Sequence, residues 1–210
     1  NLDPAAMARA YEAGGAACLS VLTEPRFFKG ALADLAAARA ACHLPVLRKD
    51  FLFCDYQIVE SAAAGADAVL LIVSILAQPD LARLHALAAE LGLDALVEAA
   101  SAGEVARACE AGASLIGINN RNLATFQVDP DRAAQLMPPP APGRLAISLS
   151  GIASRSGNTG CFGAPHRSSS VRNAFAASSS ICTTAGGYGA CRRSNRINGA
   201  SGIAPPDRRG

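Results

Sequence analysis

Residues 65–119 read GADAVLLIVSILAQPDLARLHALAAELGLDALVEAASAGEVARACEAGASLIGIN, and their punctuation decides the fold. Short apolar runs at Ala68–Val73, Ala95–Glu98 and Leu115–Asn119 alternate with alanine-rich, helix-period stretches at Pro79–Leu91 and Ala102–Ala111. Apolar runs of about four to six residues suit strands buried on both faces, whereas a helix needs about ten or more. Gly65, Gly92 and Gly112 each follow a helical stretch, where a left-handed cap favours glycine, and a strand begins soon after. Strands joined serially through helices are predicted to be parallel and covered by those helices.

The alternation extends in both directions. Helical stretches are expected at Pro4–Ala13, Ala31–Ala41, Tyr56–Ala64 and Pro130–Met137, and strands at Ala17–Leu22, Pro45–Arg48 and Leu145–Ser148. Gly14-Gly15 closes the first helix. Six such units in about 150 residues match the density of an arc of a (β/α)8 barrel. A doubly wound open sheet is the competing α/β architecture, but no GxGxxG follows any strand.

Composition bounds the rest. The chain has 210 residues, is 50% hydrophobic and 17% charged, and contains no Trp, which excludes wholesale disorder. Its apolar stretches break well before the ~20 residues a membrane span needs. No basic segment precedes an apolar run, so no signal peptide is expected; a chain starting at Asn1 also reads as a fragment. The seven cysteines are odd in number and show no CxxC spacing. The first four, Cys18, Cys42, Cys54 and Cys109, are expected to be buried free thiols in a cytoplasmic protein, with no metal site.

The net charge of +2 hides a division: residues 1–153 carry −5 and residues 154–210 carry +7. After Ile152 the alternation stops. Residues 154–210 hold ten Ser, nine Gly and eight Arg, with no Lys. This tail is expected to be poorly structured, with few long-range contacts and no helix or strand of useful length. It reads as an out-of-frame or otherwise corrupted continuation, an expectation the coding DNA tests. Gly186-Gly187-Tyr188-Gly189 is too isolated to serve as a phosphate loop. A nucleic-acid-binding tail, with Tyr188 for stacking, is the competing reading and requires salt-sensitive binding.

Polar residues gather at the C-terminal ends of the expected strands, where barrels of this type do their chemistry. The ends read Ser20-Val-Leu-Thr23, Arg48-Lys49-Asp50, Glu98, Asn119-Asn120-Arg121 and Ser148-Leu-Ser150-Gly151. Singly, each has an ordinary explanation: Lys49 as a solvated loop residue, Glu98 as a helix cap, Asn119-Asn120 as a turn. Their placement on one face of the sheet is what points to a site.

In order, these pieces resemble the indole-3-glycerol-phosphate synthase family. The resemblance rests on Ser20-Val-Leu-Thr23 with Phe28-Lys-Gly30, and on Pro45-Val-Leu-Arg-Lys-Asp-Phe51 with Tyr56-Gln57. It continues through Gly65-Ala-Asp-Ala-Val-Leu-Leu-Ile72, Leu96-Val-Glu98, and Ile116-Gly-Ile-Asn-Asn-Arg-Asn-Leu123 with Thr125-Phe126. It covers residues 1 to about 152 and implies an incomplete (β/α)8 TIM barrel holding about strands 2–7 of eight, with 154–210 as a separate tail. The Lys49–Glu98–Asn119 set argues against related phosphate-binding barrels.

The resemblance implies a lyase of tryptophan biosynthesis. It closes the indole ring of 1-(2-carboxyphenylamino)-1-deoxyribulose 5-phosphate, releasing CO2 and water, with no metal or organic cofactor. The implied partner is a phosphorylated small molecule, with neither nucleic acid nor membrane. By position, Lys49 matches the general acid, Glu98 the carboxylate of the dehydration, and Asn119 and Arg121 the groups that orient substrate. Phe28, Phe51, Leu71 and Leu123 match the apolar lining around the anthranilate ring, and Ser150 with Gly151 part of the phosphate site.

Three departures stand out. The family's first strand would precede Asn1. Leu149 stands where the family's seventh strand carries a glutamate. The eighth strand and its Gly-Glu-Ser loop have no counterpart in the tail. An inactive remnant with at most a binding role is therefore the alternative reading.

Overall fold

The structure is a computed structural model. It describes residues 3–122, 125, 127–129, 131–138 and 142–150, together with the backbone of residues 178–181 and 188–193.

Six helices alternate with six parallel strands. They run α1 (Pro4–Ala13), β1 (Ala16–Leu22), α2 (Leu32–Ala41), β2 (Val46–Lys49), α3 (Asp55–Ala63), β3 (Ala68–Ile72), α4 (Gln78–Glu90), β4 (Asp94–Ala99), α5 (Ala102–Glu110), β5 (Leu115–Asn119), α6 (Arg132–Gln135) and β6 (Leu145–Leu149). Each strand pairs in parallel with the next, from β1 to β6, without a reversal of order. A doubly wound sheet would reverse at a switch point; this sheet does not, so it is the wall of an incomplete TIM barrel.

Local chemistry sets the element ends. Asp3 caps α1, its Oδ1 accepting the Ala5 and Ala6 N–H groups at 3.0 and 3.1 Å. Ser101 caps α5, its Oγ accepting the Glu104 N–H, while Glu104 accepts the Ala100 N–H at 2.7 Å. Gly65 and Gly112 take φ of 85° and 81° just after α3 and α5, as the sequence predicts. The last helix is shorter than its predicted Pro130–Met137 span. Pro138 disfavours helical backbone at Met137, and the capped segment ends at Leu136.

Alternation along the strands divides the core into two layers. Leu47, Leu70, Leu96, Leu115, Ile147 and Leu149 face the barrel interior. Val21, Val46, Val69, Leu71, Val97 and Ile116 face the helices, packing with Leu35, Ile58, Leu81, Leu84 and Val105. A fully buried leucine stabilises the fold by about 1.5–3 kcal/mol relative to an exposed one. Leu35, Leu81 and Leu84 therefore fasten α2 and α4 to the sheet. Cys18, Cys42, Cys54 and Cys109 are free thiols, and burial pushes the Cys42 thiol above its ordinary value.

Two short strands are described within the tail. β7 (Ser178–Ile181) and β8 (Tyr188–Arg193) form an antiparallel pair, and β8 pairs antiparallel with β1 through Leu19↔Ala190 and Val21↔Tyr188. The edge of a parallel sheet presents unpaired N–H and C=O groups with which an extended segment forms main-chain hydrogen bonds. Hydropathy patterning carries no trace of that. The eight-stranded sheet then runs from β6 at one end to β7 at the other. The rest of the tail, and the expectation of low order there, lie outside the described residues.

Candidate active site

A cleft opens at the C-terminal ends of the parallel strands, with Leu47, Leu70, Leu96 and Leu149 as its apolar part and Ser20, Lys49, Glu98 and Ser150 completing the lining. Lys49 ends β2. Glu98 sits near the end of β4, buried to 6% exposure although it is a carboxylate. The Lys49 ammonium lies 4.0 Å from Glu98 Oε2, and Asn119 Nδ2 donates to Glu98 Oε1 at 2.9 Å. One carboxylate thus holds a cation on one oxygen and a neutral donor on the other, the pairing a buried charge requires. Glu98 caps no helix, since Ser101 does that for α5, and Lys49 is not a free surface lysine.

The Asn119-Asn120 pair is likewise no ordinary turn. Asn119 Oδ1 accepts the Arg121 N–H at 3.0 Å, which turns the Asn119 amide so that its NH2 meets Glu98. Asn120 is buried; its Nδ2 donates to Ser148 Oγ at 2.7 Å and the Ser150 carbonyl at 3.3 Å, and its Oδ1 accepts the Ala133 N–H. That amide joins the ends of β5 and β6 to α6. Ser150 has φ of 65°, a left-handed conformation uncommon outside glycine. The Asn120 bond to its carbonyl helps hold the turn beside the cleft.

A short loop after β1 builds an aromatic pair. Glu24 accepts N–H bonds from Arg26, Phe27 and Phe28 at 2.8, 2.6 and 3.1 Å. Gly30 then returns so close to β1 that a Cβ there would lie 2.1 Å from the Leu22 carbonyl oxygen. The result presents Phe28 to Phe51, with ring centroids 6.2 Å apart and tilted by 38°, within the range of favourable aromatic pairs.

Desolvation pushes the Glu24 carboxyl up, but the three N–H donors outweigh it and hold its pKa below the ordinary value of 4.5. A carboxyl depressed by folding stabilises fully above its unfolded pKa and loses that stabilisation as the pH falls through its folded pKa. The amide resonances of Arg26, Phe27 and Phe28 are therefore expected to shift together on acidification below about pH 4.5, the ordinary carboxylate value. In Glu24→Gln that titration disappears. Resonances that still titrate in the variant would locate the controlling carboxyl elsewhere.

The structure brings some of the expected positions together and separates others. Lys49, Glu98 and Ser150 line the cleft, Asn119 bonds to Glu98, and Phe28 and Phe51 pair with each other. Arg121 lies two residues after Asn119 and is exposed. Leu123 and Gly151 lie outside the described residues. Leu71 is a correction: it is fully buried in the helix-facing layer, and Leu70 lines the cleft instead. β3 is apolar on both faces, so its parity is not written in its own residues. The predicted lining also lacked Leu47 and Leu96. Leu47 could have been found by counting two back from Lys49, and Leu96 by counting two back from Glu98.

Leu149 lies over Gly117: a Cβ on that glycine would come within 2.4 Å of Leu149 Cδ1. The β6 wall of the cleft is accordingly apolar where the family pattern places a carboxylate.

An arc of parallel strands with paired ionisable groups at its C-terminal ends defines an incomplete TIM barrel with polar groups on the face where such barrels place their active sites. Solved structures support that fold alone. A putative phosphonomutase from Burkholderia cenocepacia J2315 is similar over 75% of this chain and 79% of its own, with TM-score 0.52 and 15% identity. The family model for indole-3-glycerol phosphate synthase matches residues 1–161, and the chain belongs to that family. It is 56% identical over 155 residues to the indole-3-glycerol phosphate synthase of Desulfosudis oleivorans, covering 74% of this chain and 59% of that protein. The corresponding enzyme of a Nocardioides species is 54% identical over 150 residues, covering 71% and 58%. The chain thus spans somewhat under three fifths of the length of these curated relatives.

Proposed function

We propose that the cleft closes the indole ring of 1-(2-carboxyphenylamino)-1-deoxyribulose 5-phosphate, giving indole-3-glycerol phosphate, CO2 and water. The observation that carries this reading is the chain of contacts from Lys49 through Glu98 to Asn119 across three strand ends. Family membership supplies the substrate class.

The chemistry follows from those groups. The arene carbon bearing the carboxylate attacks the ketone carbon, and the Lys49 ammonium delivers a proton to the ketone oxygen as that bond forms. The carboxylate leaves as CO2, and its bonding pair restores the aromatic ring. The new hydroxyl must then leave as water, with loss of a proton from the forming pyrrole ring. Glu98, oriented by Asn119, serves this second transfer. The paired rings of Phe28 and Phe51 hold the anthranilate ring, so that attack begins from an aligned geometry. Ser150 and Gly151 contribute to the phosphate site, and Arg121 and Leu123 to orienting and lining the substrate. None of these steps calls on a metal or an organic cofactor. Among the described residues no helix is long and apolar enough to cross a membrane.

A second reading has its own observation. Leu149 gives the β6 wall a methyl group where the family carries a glutamate, and a catalytic set that acts together loses activity out of proportion to the part removed. An inactive remnant with a residual ligand site accounts for that. Reading the tail as an out-of-frame continuation is compatible with either.

The test is turnover by the purified chain, followed by indole fluorescence; the chain contains no Trp to obscure it. Turnover is expected. Absence of turnover that returns in Leu149→Glu would assign the defect to that one side chain. No turnover in either form, even with the substrate bound, would establish the remnant.

A further inference from the structure

Ser20 is a residue for which the mechanism above has no use. It lies in the middle of β1, between Leu19 and Val21, both of which are fully buried toward the helices. Alternation turns Ser20 the other way, into the cleft that Lys49 and Glu98 also line. Its parallel-strand partner is Leu47, while Lys49 pairs with Leu22, so Ser20 stands one inward-facing position deeper than the lysine. The lining residues Leu47, Leu70 and Leu96 offer it no hydrogen-bond partner. Ser20 is only 4% exposed, and its Oγ pairs with no group among the described residues.

Buried hydroxyls are almost always paired, because an unmade hydrogen bond away from water costs stability. Alanine at this position would pack on β1 without that cost. A hydroxyl kept there is explained by a partner that arrives with the ligand. The leucines narrow what that partner is. A carboxylate or phosphate oxygen would be stranded among them with one neutral donor, whereas an uncharged oxygen needs only that one bond. Lys49 stands one inward-facing position nearer the strand ends than Ser20, so a charged end of the ligand is better met there.

We propose that Ser20 is a positioning residue whose hydroxyl bonds to a hydroxyl of the sugar-derived chain of the ligand. It thereby selects the polyol chain over a deoxygenated one. This rests on the ring-closure reading of the cleft.

The test compares two ligands and two proteins. Indole-3-glycerol phosphate and 3-(indol-3-yl)propyl phosphate share the ring and the phosphate and differ only in the two chain hydroxyls. Binding of each to the full chain and to Ser20→Ala is measured by indole fluorescence, with thermal melting alongside. The full chain is expected to prefer the dihydroxylated ligand by about 3- to 10-fold, the worth of one hydrogen bond. In Ser20→Ala that preference is expected to fall to about one-fold, with melting temperature unchanged or raised.

Four results would overturn the proposal. A preference that survives in Ser20→Ala, or one missing from the full chain, removes Ser20 from ligand selection while leaving the ring-closure reading intact. Equal weakening of both ligands with a lowered melting temperature makes Ser20 a structural residue. Failure of the full chain to bind either ligand removes the ring-closure reading, and this inference falls with it.

Discussion

Lys49→Ala is expected to lower turnover by about 10²- to 10⁴-fold, the contribution typical of a positioned general acid. The ammonium has two tasks in the cleft. It gives a proton to the ketone oxygen, and its charge offsets Glu98, whose side chain is only 7% exposed. Alanine removes both, so the loss alone does not separate them. Lys49→Arg does. Arginine keeps the positive charge beside Glu98, but its pKa above about 12 makes it a poor proton donor near neutral pH. Proton donation as the main task predicts that Lys49→Arg is nearly as slow as Lys49→Ala while melting close to the parent. Charge balance as the main task predicts that Lys49→Arg recovers most of the turnover. Steady-state rates of the three proteins, with melting curves, decide between the two. Turnover within a few-fold of the parent in Lys49→Ala would remove Lys49 from the chemistry altogether.

The ease with which the sequence disclosed Lys49 and hid its surroundings has a physical cause. A strand buried on both faces and ending in a charged residue is a local pattern, and so is a glycine that reverses the chain after a helix. Those signals located β1 to β6 to within about a residue or two, and with them the row of polar strand ends. Parity inside an all-apolar strand is not local. Ala68-Val-Leu-Leu-Ile72 reads the same from either side, and only its pairing with β2 and β4 shows that Leu70 faces inward and Leu71 outward. Hydropathy likewise marks Arg48 as a surface residue, although it is 5% exposed. Its partners are up to 25 residues away in the chain, beyond the reach of any short window. The β8 pairing on β1 is the extreme case, because main-chain bonding leaves almost no trace in side-chain pattern.

Arg48→Ala is expected to be the most destabilising single change near the site, at about 3–5 kcal/mol, the loss typical when one partner of a buried ion pair is removed. Arg48 precedes Lys49 and points the opposite way, into the layer between sheet and helices. Its Nε donates to Thr23 Oγ1 at 3.1 Å and its Nη2 to Asp50 Oδ2 at 3.0 Å; its Nη1 donates to Glu60 Oε2 at 2.9 Å and Ser61 Oγ at 3.1 Å. Thr23 Oγ1 in turn donates to Asp50 at 2.6 Å. One guanidinium therefore ties the end of β1, the turn after β2 and the body of α3 together. Removing it leaves Asp50, with a side chain 9% exposed, charged and short of its main partner. For a chain of this length the loss corresponds to a fall of roughly 10 °C in melting temperature. Arg48→Ala combined with Asp50→Ala is expected to lose clearly less than the sum of the two single changes, because the second removes the stranded charge. The same network fixes the backbone from which Lys49 projects, so turnover should fall in Arg48→Ala even under conditions where the variant stays folded. Denaturant unfolding of the two single variants and the double variant measures the coupling directly. A loss below about 1 kcal/mol, the range of an exposed pair, would show that water replaces the guanidinium without cost and that Lys49 is held by its strand alone.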